Sequence, residues 1–187
     1  MTTSAGNTDL GSALRQFSRM FLIEGVILVI LGVLAVAVPQ VATIAVTIFL
    51  GWLFLISGVV GLATSFMARG VPGFWWALLS ALVAIAAGIV LVGSPAQGAL
   101  SLTFVLIAFF LIQGIATVMY AVDHRKELSG RWGFMLFSGL ITLALAVMII
   151  AGLPATAGWA LGLLVGIDMV FGGLALIAMA MAAKSAA

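Results

Sequence analysis

The chain has 187 residues, of which 65% are hydrophobic and 6% charged, and its mean hydropathy is +1.41. Soluble domains carry about 25% charged residues, and folding removes only about 70% of the surface of a chain this size from water. These values exclude an ordinary water-soluble domain and predict a protein whose solvent is lipid. The net charge of +2 comes from scattered basic residues and does not indicate nucleic-acid binding, and the lack of cysteine excludes disulfides and cysteine metal sites.

Six apolar runs follow one another along the chain, and each is long enough to cross a membrane as a helix, which takes about 20 residues. The predicted helices, in chain order, are 19–38, 41–67, 74–92, 98–122, 132–151 and 157–182. Strands are not expected, because these runs lack the alternation of a membrane barrel. We expect residues 1–18 to be a disordered or interfacial tail and residues 19–183 to form a single transmembrane domain.

Matched intervals between prolines and glycines indicate that the chain repeats one unit three times. Each proline that separates the two helices of a pair is followed 19 residues later by a glycine, and both sets are spaced by 56 and then 59 residues. The residues are Pro39, Pro95, Pro154, Gly58, Gly114 and Gly173. Such offsets predict tandem repeats, and proline suits the turns because it cannot continue a helix. The predicted fold is an all-α membrane protein with six transmembrane helices, arranged as three tandem helical hairpins at about 19–68, 74–122 and 132–182.

All seven basic residues lie on one side of the predicted membrane. They precede the first helix, separate helices two and three, separate helices four and five, and follow helix six. The residues are Arg15, Arg19, Arg69, Arg125, Lys126, Arg131 and Lys184. Because basic loop residues are retained in the cytoplasm, this distribution predicts that both the N and the C terminus are cytoplasmic.

Small residues are expected to let the helices approach closely, because lipid gives little hydrophobic drive for helix association. GxxxGxxxG spacing opens the predicted sixth helix, and related glycines occur in the second and fourth helices. The predicted packing positions are Gly58, Gly114, Gly158, Gly162, Gly166 and Gly173. We interpret them as contacts within the chain, and the alternative is a seam between copies of a homo-oligomer.

The segments FWWALLSALVAI in the third helix and LVGIDMVFGGLAL in the sixth, together with six spans and three proline turns, resemble the HdeD acid-resistance membrane protein family. The resemblance covers nearly the whole chain from about Arg15. It implies a bacterial inner-membrane location and a contribution to acid-stress resistance. In that family an acidic residue commonly follows LVGI-like residues in the last helix, and Asp168 stands at that place, whereas Glu24 matches no family position.

Two acidic residues fall inside the predicted spans. Counted along straight helices at 1.5 Å per residue, Asp168 lies about 21 Å from the turn at Pro154, and Glu24 lies about 22 Å from the turn at Pro39. We therefore expect the two carboxyl groups at similar depth. They would meet if helices one and six are neighbours.

Three interpretations of Asp168 remain open. As a neutral acid it could join helices by donating a hydrogen bond to a carbonyl group, to Gln113 or to Ser57, and the last two fall at similar helix depths. It could instead be a proton-responsive switch, or it could line a translocation site, because intramembrane acids often mark such sites. Glu24 could also be proton-responsive. The alternative is that its side chain extends to the inner lipid headgroups, since Glu24 lies about one and a half helical turns from Arg19.

No motif for catalysis or cofactor binding occurs, since the chain lacks a GxxxxGK[ST] phosphate loop and an HExxH zinc pattern. The single histidine, His124, is expected in a solvated loop. We predict a non-enzymatic protein without cofactor or metal, in contact with the lipid bilayer and with no nucleic acid. Its candidate partners are a second copy or another membrane protein.

Two other functions stay open as alternatives: a small-solute or proton transporter, and an assembly partner of another membrane complex. The three predicted repeats each enter and leave on the same side, so they are parallel. Many secondary transporters are instead built from inverted repeats, which makes a transporter of that kind less expected.

Overall fold

The computed structural model describes residues 3–70, 72–125 and 132–185, and every regular element in these ranges is helical. The helices are α1 (Thr3–Ala37), α2 (Pro39–Met67), α3 (Phe74–Gly93), α4 (Pro95–Asp123), α5 (Trp132–Ala151) and α6 (Ala160–Ser185), with a short 3-10 helix, Ala155–Gly158, between α5 and α6. Within the described residues, six helices are long and apolar enough to cross a membrane. This confirms the predicted six-helix membrane fold.

The first helix differs from the prediction at its start. It begins at Thr3, whereas the sequence predicts a helix that starts at residue 19, and the predicted interfacial tail over residues 1–18 stays a prediction. No proline occurs between Thr3 and Pro39, so nothing in the covalent chain prevents the helix from extending beyond the apolar span. Apolar content therefore marks the part of α1 that can cross the membrane, Met20–Ala37, and not the limits of the helix.

The turns at the proline ends of the helices are short in the first two hairpins and longer in the third. Pro39 is the first residue of α2 and Pro95 is the first residue of α4, where a missing backbone N–H costs nothing. Pro154 instead precedes the 3-10 helix, and α6 begins only at Ala160. The turn of the third hairpin is therefore several residues longer than the turns of the first two.

Most buried residues of the even-numbered helices recur at equivalent places in the three repeats. They are Thr43, Thr47, Gly51, Gly58 and Ser65 in α2, Ala99, Thr103, Ile107, Gly114 and Ala121 in α4, and Gly162, Gly166, Gly173 and Ala180 in α6. Steps of four and seven residues correspond to about one and two turns of a helix, which keeps one stripe on one side of the helix. The repeats therefore bury the same side of each even-numbered helix, in agreement with the predicted tandem repetition.

The chain divides into two compact units, and the first contains α1 and most of α6, in residues 1–42 and 162–187. Two pairs of glycines bring these helices together. A Cβ atom on Gly25 would lie 2.7 Å from the carbonyl oxygen of Gly173, and one on Gly32 would lie 2.7 Å from that of Gly166. The two helices therefore pack backbone to backbone, as small residues allow in a membrane.

The second unit, residues 43–161, contains two helix pairs of the same kind. A Cβ atom on Gly58 of α2 would lie 2.9 Å from the carbonyl oxygen of Ala81 in α3, and one on Gly114 of α4 would lie 3.2 Å from that of Gly139 in α5. By repeat spacing these are the same positions as in the contact between α6 and α1. One glycine per repeat thus meets a small residue of an odd-numbered helix in all three pairs.

The core of the second unit lies near the proline ends of its helices. Ile107, Ile149 and Ala160 form its centre, and partly buried apolar side chains that include Trp159 surround them. Three threonines of the second unit are also fully buried: Thr43, Thr47 and Thr103. The Thr47 hydroxyl donates to the Thr43 carbonyl at 2.8 Å, so this buried hydroxyl has a hydrogen-bond partner within its own helix.

Candidate functional site

Asp168 lies in α6, eight residues after Ala160 and therefore about 12 Å along the axis from the start of that helix. The α6 residues that touch the α1 glycines form one side of the helix: Gly166, Val170, Gly173 and Ile177. At 100° per residue, Asp168 points roughly away from that side. Its side chain is exposed, so the carboxyl group is no part of the contact between α1 and α6.

Glu24 and Asp168 do not lie at the same depth. Gly32 packs against the α6 residues that stand two before and two after Asp168, so Gly32 and Asp168 are level. Glu24 is eight residues before Gly32 on α1, which separates the two acids by about 12 Å along the helices. The predicted common depth is wrong because residues 153–159 form a turn and a 3-10 helix, which the straight-helix count from Pro154 ignored.

Gln113 and Ser57, the predicted polar partners, lie in α4 and α2 of the second unit, and both side chains are exposed. The backbone carbonyl of Gln113 accepts a hydrogen bond from the Thr117 hydroxyl at 2.8 Å. All four polar residues singled out from the sequence are thus exposed side chains within membrane-spanning helices. Such side chains face lipid, water or another protein, and the free-energy cost of placing a polar group there differs among the three.

The predicted packing glycines separate into two groups. Gly162 is buried, and four others are buried where two helices meet: Gly58, Gly114, Gly166 and Gly173. Gly158 is exposed, and a Cβ atom there would have no neighbour within 4 Å. It lies in the 3-10 helix that precedes α6, so GxxxGxxxG spacing does not place it on the same helix face as Gly162 and Gly166.

Sequence reasoning missed the partners of these glycines on the odd-numbered helices. Gly25, Ala81 and Gly139 occupy one repeat position, and Gly32 lies seven residues further on in α1. The signal was present, because the first three residues are spaced by 56 and 58, close to the 56 and 59 of the prolines. It could have been found by aligning the odd-numbered helices with one another.

An open apolar groove of about 240 Å³ lies beside the contact between α1 and α6. Its lining residues are Val33, Val36, Ile167, Val170 and Phe171. Two of them are well exposed, Ile167 at 40% and Phe171 at 68%. A groove with only aliphatic and aromatic walls suits hydrocarbon and offers no polar group to a hydrophilic solute.

The charged ends of the helices carry few specific contacts among the described residues. Arg69 and Arg125 are exposed, and the Arg69 guanidinium lies 4.8 Å from the centre of the Phe66 ring. His124 stacks on Tyr120 with ring centres 4.2 Å apart. Lys126 and Arg131 lie outside the described residues. Within the described part of the chain, no group of three or more His, Cys, Asp or Glu residues could hold a metal ion.

The family model described as "Short repeat of unknown function (DUF308)" matches the chain twice, at residues 23–93 and 81–151. The two matches are displaced by 58 residues, within the range of the proline and glycine spacings. Together they cover more than half of the chain. The matched family is therefore itself a repeat family, and its period agrees with the one visible in the buried residues.

Curated relatives give a second line of comparison. The chain is 24% identical over 170 residues to Protein HdeD of Escherichia coli strain K12, which covers 89% of this chain and 88% of the relative. Protein HdeD of Escherichia coli O157:H7 and of Shigella flexneri match to the same extent. No solved structure matches the chain. These findings confirm the HdeD-like assignment, and the chain belongs to the DUF308 family of short repeats.

Proposed function

We propose that this multi-pass protein is a non-enzymatic protein of the bacterial inner membrane that contributes to acid-stress resistance, with Asp168 as its protonatable group. The observation that carries the proposal is the place of this carboxyl group. It is exposed, inside a membrane-spanning helix, on the side of α6 that points away from α1. The resemblance to the HdeD family supports the link to acid stress.

The charge of Asp168 determines what the side of α6 that points away from α1 can touch. A charged aspartate near the centre of a membrane helix costs about 2.5–3.5 kcal/mol, while each Leu, Ile or Val returns about 0.3–0.6 kcal/mol. Helix α6 therefore tolerates either form of Asp168, but the charged form needs water or a polar partner. The neutral form can lie against lipid, so protonation of Asp168 in acid changes the surroundings that this side of α6 prefers.

The proposal gives Glu24 a separate role. Because Glu24 lies about 12 Å from Asp168 along the helices, the two acids do not share one proton directly. We propose that Glu24 extends toward the basic ends of the helices, and that Asp168 alone senses acid. The distribution of basic residues supports the orientation in which these ends, and both termini, face the cytoplasm.

The proposal is tested by survival of cells at low pH when the only copy of the gene encodes a variant. Asp168→Asn removes the acidic group but keeps the size and polarity of the side chain, so we expect survival to fall. Asp168→Glu keeps a titratable group and is expected to retain survival. Glu24→Gln is the matched control, since it removes the other intramembrane acid, and it should behave as the unaltered protein.

Thermal unfolding of the purified variants separates sensing from simple damage. Asp168→Asn should unfold near the temperature of the unaltered protein, because this side chain makes no part of the contact between α1 and α6. If Asp168→Asn matches the unaltered protein in both survival and unfolding temperature, Asp168 has no role of this kind. Survival that falls equally with Glu24→Gln would also contradict the proposal.

Transport is the competing function, and vesicles distinguish it. Purified protein in liposomes that contain a pH-sensitive dye is exposed to a step in external pH. The proposal predicts no proton flux above that of empty liposomes. Flux that disappears with Asp168→Leu would contradict a sensing role and identify Asp168 as part of a conducting path.

A further inference from the structure

One side of the α4–α5 pair carries polar side chains near the middle of its two helices. Gln113 lies four residues from the middle of the 29-residue helix α4, about 6 Å along its axis. Ser138 lies near the middle of α5. Both side chains are exposed, and Thr117 and Thr142 beside them are half-buried. We call these four residues the polar side of the pair.

The four residues share one side because of how the two helices meet. Gly114 and Gly139 form the contact between α4 and α5, and Gln113 and Ser138 each precede the contact glycine by one residue. In an antiparallel pair, residues that precede the contact on both helices point to the same side. A Cβ atom on Gly139 would lie 3.2 Å from Cβ of Thr117, which places Thr117 next to this contact.

The hydrogen-bonding capacity of the polar side is only partly used within the pair. The Thr117 hydroxyl donates to the Gln113 carbonyl at 2.8 Å, and the Thr142 hydroxyl donates to the Ser138 carbonyl at 3.0 Å. These threonines keep free oxygen lone pairs. The Gln113 side chain carries two donors and one acceptor, and its amide is exposed where lipid offers no partner.

We propose that the polar side is the seam where a second copy of this chain binds in the membrane. Two copies with the same orientation are related by a two-fold axis along the membrane normal, which keeps each residue at its own depth. The Gln113 amides of the two copies then meet at the same level and satisfy each other, because an amide both donates and accepts. This inference does not depend on the proposed role of Asp168.

A second copy fits better than an unrelated partner because the patch is complementary to itself. It carries donors and acceptors in one small area and no charge, so a match needs no special partner. The same repeat positions in the α2–α3 pair are Ser57, Gly61, Ser80 and Ala84, which provide two hydroxyls and no amide. The α4–α5 pair is thus the member of the second unit whose exposed side most needs a polar partner.

Disulfide formation between single cysteines tests this seam in native membranes, and the chain is suited to it because it contains no cysteine. Ser138→Cys places a thiol on the polar side, and Leu140→Cys is the matched control. Leu140 is also exposed and flanks the same glycine on its other side. We expect oxidation to give covalent dimers with Ser138→Cys and none with Leu140→Cys.

The role of the Gln113 amide is tested in the protein that carries Ser138→Cys. Adding Gln113→Leu to Ser138→Cys should weaken dimerisation by about tenfold, the equivalent of one or two interhelical hydrogen bonds. Gln113→Asn should retain most of it. Leu is more apolar than Gln, so membrane insertion is preserved, and thermal unfolding of the monomer verifies that it still folds.

Three results would overturn the inference. One is equal or absent cross-linking of the Ser138→Cys and Leu140→Cys proteins. Another is dimerisation that is unchanged by Gln113→Leu. The third is rapid labelling of Ser138→Cys by a membrane-impermeant maleimide, which would show that the polar side faces water.

Discussion

Two adjacent glycines of α6 have opposite surroundings. A Cβ atom on Gly173 would lie 2.6 Å from the carbonyl oxygen of Gly25 and 2.8 Å from a methyl carbon of Val29, whereas one on Gly172 would have no neighbour within 4 Å. The oxygen is backbone and cannot move away without shifting α1. The absence of a side chain at Gly173 is therefore a requirement of the helix contact, while at Gly172 it is not.

Gly173→Ala should destabilise the protein by about 1–3 kcal/mol, because an added methyl group forces two closely packed backbones apart. Gly172→Ala, the matched control, should be neutral or stabilising by up to about 1 kcal/mol, since alanine favours a helix over glycine. Unfolding in detergent with increasing denaturant measures both. Equal losses in the two variants would contradict the backbone contact seen between α1 and α6.

At the scale of elements, a buried hydroxyl joins the turn between α5 and α6 to the end of α5. Thr156, in the 3-10 helix, donates from its hydroxyl to the carbonyl oxygen of Ile149 at 2.8 Å. Ile149 belongs to the last turn of α5, where carbonyl groups lack a partner within the helix. Thr156 thus ties the longer third turn to the helix before it.

Thr156→Val removes this donor and leaves a buried carbonyl group unsatisfied, which should cost about 1–3 kcal/mol of stability. Thr156→Ser keeps the hydroxyl and should lose clearly less. Thr64→Val is the control, because the exposed Thr64 hydroxyl donates to a carbonyl of its own helix, that of Gly61. The melting temperatures of the three variants give the comparison, and a Thr156→Val protein as stable as the control would show that the turn does not need the hydroxyl.

The elements also show how far the sequence could be interpreted. The six spans were predictable, because lipid demands long apolar helices, and so was the period, because the prolines repeat. The depth of Asp168 was not predictable, since nothing in residues 153–159 marks a 3-10 helix in place of a straight one. The start of α1 at Thr3 was missed for a similar reason: the end of an apolar run is not a helix stop signal.

The sequence shows that Asp168 lies in an apolar run, and its role as the candidate site stays a prediction. The geometry around it was not predictable. The side to which it points depends on which helix packs against α6. Sequence spacing identified the glycines but could not say that Gly166 and Gly173 meet α1.

At the scale of the whole molecule, the charge distribution predicts the orientation in the membrane. Gly70 lies in the connection between α2 and α3 next to the exposed Arg69, and Ser94 lies in the proline turn between α3 and α4. Both positions are exposed. The two connections are at opposite ends of α3, so they should be accessible from opposite sides of the membrane.

Labelling of single cysteines reports the side of the membrane on which each connection lies. Gly70→Cys should react with an impermeant maleimide only when the cytoplasmic side is accessible, as in inverted vesicles, because basic residues are retained there. Ser94→Cys should react in intact cells whose outer membrane has been made permeable. Labelling of both from the same side would contradict the crossing of α3, and the reverse pattern would contradict the proposed orientation.

The most direct test of the account is the protonation of Asp168 in a membrane. Infrared spectra of the protein in lipid vesicles are recorded as the pH is lowered, for the unaltered chain and for Asp168→Asn and Glu24→Gln. The other carboxyl groups of the chain also protonate in acid, so the account predicts that one component of the protonated-carboxyl band is missing in Asp168→Asn and remains in Glu24→Gln. A spectrum in which Asp168→Asn removes no pH-dependent band would contradict the claim that this carboxyl senses acid.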